Sequence, residues 1–86
     1  MSLSAKQLHL ASQIDARVRE LEHAGSDEVT ILVEMSPLMP AFKELLDTVE
    51  ERGMDELCIR FDGFYRYAKI LENLAAGIQS GEIKVR

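Results

Sequence analysis

The nine residues GSDEVTILV (25–33) decide the fold. Val29, Ile31 and Val33 alternate with Thr30 and Leu32, and the run is rich in the β-branched side chains that suit a strand. Asp27-Glu28 at its front suits the positive end of a helix instead. The same G-x-D-E opening followed by apolar residues returns in GMDELCIRF (53–61), with a shorter echo in SGEIKV (80–85). Taken as strands, the three segments place Val29, Ile31, Val33, Leu57, Ile59, Phe61, Ile83 and Val85 on one face. That is a two-layer α/β fold, αβαβαβ, with a three-stranded sheet.

Two arguments favour helices. Consecutive strands joined by helices run parallel, and parallel sheets are covered on both faces. Here the second face would carry Thr30, Glu34, Arg60, Lys84 and Arg86, which need water. Three strands are also a small foundation. The leading expectation is therefore an all-α fold, a small bundle of three to four helices, with the α/β arrangement as its alternative.

The segments around these runs read as helices on their own terms. Ser4 can cap a helix over 4–24, whose stripe is Leu10, Ala11, Ile14, Val18 and Leu21, and Gly25 can end it in the left-handed conformation. A second helix is expected over 37–52, with Ser36 as cap and Pro37 and Pro40 in the first turn, where no intrahelical donor is needed. Leu38, Met39, Phe42, Leu45, Leu46 and Val49 line its apolar face, and Gly53 closes it. Over 54–79 a 3.6-residue stripe runs through Leu57, Phe61, Phe64, Tyr65, Ala68, Leu71, Leu74, Ala75 and Ile78. Glycine costs a helix roughly 1 kcal/mol against alanine. Asp62-Gly63 should therefore split this pattern into helices near 55–61 and 64–79.

The 86 residues make one domain, 1–86, in which Met1-Ser2-Leu3 reads as an added leader. A chain this short buries only about 60–65% of its unfolded surface, so its core needs support. Cys58 is the single cysteine and forms no intrachain disulfide; one thiol and no secretory pattern fit a reducing cytoplasm, the expected location. No run reaches the roughly 18–20 apolar residues that span a bilayer. Oligomerisation is the support that remains, and a homodimer is expected. The formal charge of −5 disfavours a general nucleic-acid binder, because phosphate neutralisation needs a basic field. Residues 26–56 carry −7 and residues 57–86 carry +2, an asymmetry able to orient one subunit on another.

The densest chemistry is RFDGFYRY (60–67), with four of the five aromatic residues. Arginines among aromatics suit single-stranded nucleic acid, where stacking contributes about 1–3 kcal/mol per base. The spacing speaks otherwise: Phe61, Tyr65 and Ala68, like Phe64, Tyr67 and Leu71, merge with an apolar stripe, as in a core or a contact surface. Elsewhere the chain has no catalytic constellation. Cys58 has no base near it in sequence and sits between Leu57 and Ile59 like a small hydrophobe. His9 and His23 stand roughly 20 Å apart along one helix and cannot share a metal. No phosphate-binding or nucleophile-elbow glycine motif occurs, so no enzyme, cofactor or metal is expected. MSPLMP (35–40) resembles the Cys-Pro helix start of small sulfur-carrier proteins, but Ser36 stands where that chemistry needs a thiol.

The sequence thus suggests a non-enzymatic interaction or regulatory module. Phe61, Phe64, Tyr65, Tyr67 and Leu71 would anchor its docking surface, adjoined by Leu38, Met39 and Phe42, with Met35 and Met54 adding adaptable contact. Its partners would be a second copy and an unidentified protein, with neither membrane nor nucleic acid expected. The alternatives are a repressor- or antitoxin-like regulator using Arg60, Arg66 and Lys69 on nucleic acid, and a small-ligand binder.

Overall fold

The computed structural model describes residues 3–80, and the side chains of 3–77. Within that span the chain is helical throughout: α1 (Ala5–His23), α2 (Glu28–Glu34), a 3₁₀ turn (Ser36–Leu38), α3 (Met39–Thr48), α4 (Glu51–Arg60) and α5 (Asp62–Ser80). The all-helical expectation holds, with five helices rather than three or four. Two of the three candidate strands are helices, so the α/β alternative fails; the third, around 80–85, lies almost wholly outside the described residues.

GSDEVTILV folds as a cap followed by a helix. Gly25 takes φ +82 and ends α1. The Ser26 N–H then donates to the Leu21 carbonyl and the Gly25 N–H to that of Glu22, the paired bonds of a Schellman motif. Asp27 accepts the Thr30 N–H at 2.8 Å and starts α2. A lone strand here would leave its backbone donors without a ladder, whereas a helix satisfies them internally. Tertiary context thus overrides the β-branched composition. Ile31 and Met35, four residues apart, enter the core, while Val29 and Val33 point outward, 68% and 64% exposed.

The helix expected over 37–52 is interrupted. α3 stops at Thr48, Val49 is extended, and α4 starts afresh at Glu51. Gly53 closes nothing: it lies in the first turns of α4, where a Cβ would stand 2.6 Å from Val49 Cγ1. The break expected at Asp62-Gly63 falls at Phe61, whose extended backbone caps α4 and precedes α5. Gly63 stands in the first turn of α5, close against α1. Its added Cβ would meet the Asp15 carbonyl oxygen at 2.6 Å.

α1 is the hub, packing along α5 and against α3. Its stripe of Ala11, Ile14, Val18 and Leu21 is buried with Ile31, Met35, Phe42, Leu45, Leu57, Phe64 and Tyr67. Burying a side chain of the larger kinds contributes about 1.5–3 kcal/mol relative to exposure. A Ser4–Gln7 capping box starts α1, and the Gln7 amide donates onward to the Thr48 carbonyl, tying α1 to the end of α3. Leu3, read from sequence as part of a leader, packs on the core beside Gly53.

Candidate functional site

The aromatic residues of RFDGFYRY divide between core and surface. Phe64 and Tyr67, three residues apart on α5, are fully buried and meet Phe42 of α3. The ring centroids of Phe42 and Phe64 are 5.5 Å apart, and those of Phe42 and Tyr67 are 5.2 Å apart, edge to face at 82°. The Tyr67 hydroxyl donates to Met39 Sδ, and burial pushes its pKa up. Phe64 and Tyr67, expected to anchor a docking surface, and Phe42, expected to adjoin it, therefore lie inside one chain. Phe61, Leu71 and Leu38 are half-buried around them, and Met35 is wholly inside. Tyr65 and Met39 are the outward members of the expected set, 45% and 40% exposed.

Two polar contacts set how α5 lies on α1. Asp15 Oδ1 accepts the Gly63 N–H at 2.7 Å, placing a carboxylate at the electropositive start of α5, and the same oxygen accepts from Arg19 Nε at 3.1 Å. Seven residues along α1, Glu22 takes the Arg66 guanidinium through both oxygens, at 2.7 and 2.8 Å. That pairing raises the Arg66 pKa, since it favours the charged form. The contacts progress in the same sense along both helices. Neither partner was foreseen from sequence, because a helix period says which face turns inward but not which residue it meets.

Beyond this clamp lies an open groove of about 580 Å³ between α5 and the α1–α2 corner. Ile31 and Ile70 contribute its apolar lining, with Tyr65 beside them. Arg66 and Lys69 stand on the α5 wall, and Asp27 and Glu28 on the α2 wall. Lys69 Nζ lies 5.9 Å from the Tyr65 ring centroid, within cation–π range. A helical wheel over 28–34 would have revealed the outward Val29 and Val33. The strand reading hid them by pairing both with Ile31.

Comparison with protein-family models, curated proteins and solved structures finds no match to this chain.

The three cations considered for nucleic acid are all engaged within the chain. Arg60 pairs with Glu56 at 3.5 Å, Arg66 with Glu22, and Lys69 with Glu72 at 3.4 Å. Lys84 and Arg86 lie outside the described residues. His9 and His23 are exposed on α1, and among the described residues no three metal-ligating side chains gather. Cys58 is half-buried; desolvation, then the Asp55 charge, push its thiol pKa up, opposite to what a nucleophile needs. No described helix is long and apolar enough to cross a membrane.

Proposed function

We propose that this chain is a non-enzymatic protein-interaction module whose recognition surface is the groove between α5 and the α1–α2 corner. One observation carries the reading. An exposed tyrosine stands beside apolar lining, between walls of opposite charge, on a framework already fixed by the Asp15–Gly63 and Glu22–Arg66 contacts. A preformed apolar groove with a charged rim suits a helix or short peptide of another protein. Tyrosine serves such an edge well, because its ring packs while its hydroxyl stays wet.

The aromatic docking surface expected from sequence moves accordingly. Of its members only Tyr65 lines this groove, and Phe64, Tyr67 and Phe42 act by holding α5 in place. A nucleic-acid role draws less support, since Arg60, Arg66 and Lys69 are each matched by a carboxylate within the chain. The groove volume falls within the range of small-molecule sites, roughly 300–1,000 Å³. Its openness to solvent favours a protein segment over a small molecule.

A photoreactive phenylalanine analogue placed at position 65 tests the proposal in cell extract. Covalent adducts with polypeptides are expected from position 65 and not from a control at Ile59, which is more exposed. Equal labelling from both positions, or none from position 65, would refute it.

A further inference from the structure

We infer that Met39 is an oxidation site, at which a hydroperoxide acting on the thioether releases Tyr67 and loosens the hold of α3 on α5. Met39 opens α3 and is 40% exposed, while its sulfur accepts the hydrogen bond of the Tyr67 hydroxyl, on a side chain of α5 that is wholly buried. Among the described residues that hydroxyl donates to no other acceptor. The Tyr67 ring also stands edge to face on Phe42, one turn further along α3, with centroids 5.2 Å apart. An exposed methionine thus holds one end of a contact whose other end is in the core. The other described methionines are less open to an oxidant: Met35 is buried and Met54 is half-buried.

The step needs only the oxidant. A sulfur lone pair attacks the terminal oxygen of the hydroperoxide, and the S–O bond forms as the O–O bond breaks. Sulfur is oxidised by two electrons and the peroxide is reduced. The proton of the transferred oxygen passes to the leaving oxygen, which departs as water or an alcohol. Tyr67 covers one lone pair of the sulfur, so attack comes from the other, on the solvent side, and the new oxygen points to water. A thioether is a weak acceptor to begin with. As a sulfoxide the sulfur carries partial positive charge and no longer attracts the phenol proton, so a buried hydroxyl loses its acceptor. The flexible apolar side chain that filled the gap beside it has also become polar.

Treatment of the pure chain with dilute hydrogen peroxide, with peptide mapping by mass and urea unfolding of the intact protein, tests this. Met39 should gain its oxygen faster than Met54, and faster still than Met35. Wild type oxidised at Met39 should unfold at a lower urea midpoint, with its folding constant reduced roughly 5-fold or more, the scale of a buried donor left unpaired. Met39→Leu has no acceptor at all. It should start from a lowered midpoint and shift no further in peroxide, so any effect of oxidising Met1 or Cys58 would show there. Tyr67→Phe has no hydroxyl to strand, and oxidation at Met39 should move its midpoint by less than roughly half the wild-type shift. Oxidation of Met39 no faster than Met35 would overturn the inference. So would an unchanged wild-type midpoint after Met39 is oxidised, or a shift in either variant equal to that of wild type. Should Met39→Leu fold poorly, the comparison of wild type with Tyr67→Phe decides alone.

Discussion

Phe64, Tyr65 and Tyr67 share one short stretch and should respond differently to truncation. Phe64→Ala and Tyr67→Ala each empty space inside the Phe42 cluster and should cost about 3–5 kcal/mol, read as a lowered urea midpoint. Tyr65→Ala should stay within about 1 kcal/mol, because much of its ring is already in water. An equal loss at all three positions would contradict the assignment of Tyr65 to the surface. Two glycines sharpen the residue-scale account. Gly25→Ala should cost about 1–2 kcal/mol through its positive φ alone, since nothing lies within 4 Å of the added carbon. Gly63→Ala should cost more, because α5 must move off the Asp15 backbone; thermal unfolding of the two variants should rank them in that order. Sequence made the aromatic concentration visible but not which rings turn inward. That choice depends on how α5 is set against α1, through an Asp15–Gly63 contact that spans 48 positions of chain.

At the scale of elements, α2 depends on its cap. Asp27 accepts the Thr30 N–H, which holds its carboxyl below the ordinary 3.8. A depressed folded value means the stabilisation is complete above 3.8 and lost as pH falls through the lower, folded value. Asp27→Asn keeps a capping oxygen without the titration. The stability difference between wild type and this variant should therefore be largest above pH 3.8 and shrink below it, measured by urea unfolding across the acid range. A difference independent of pH would show that the Asp27 charge contributes nothing. The long elements were legible in advance: Ser4, the stripe Ala11–Ile14–Val18–Leu21 and Gly25 mark α1 nearly to the residue. The short ones were not. Seven residues of α2 span about two turns, too few for a 3.6-residue period to outweigh β-branched alternation. Likewise the apolar face over 38–49 continues up to a break at Val49, where the next helix approaches closely through Gly53.

As a whole, the molecule measures 39 × 29 × 20 Å, so its thinnest dimension is about two helix diameters. Every helix then keeps an outer face, and a chain of 86 residues cannot hide all its large apolar side chains. Val29, Val33 and Tyr65 are among those left out, and Tyr65 lines the groove. The charge asymmetry read from composition acquires a location here, since acidic α2 and basic residues of α5 stand on opposite walls of one cleft. The sequence suggested a second copy and another protein as partners but not the surface that would meet them, because that surface depends on this juxtaposition rather than on any motif. The most direct test is labelling in cell extract from a photoreactive phenylalanine analogue at position 65. Adducts with polypeptides from position 65 and not from Ile59 are predicted; equal labelling from both positions, or none from position 65, would contradict the account.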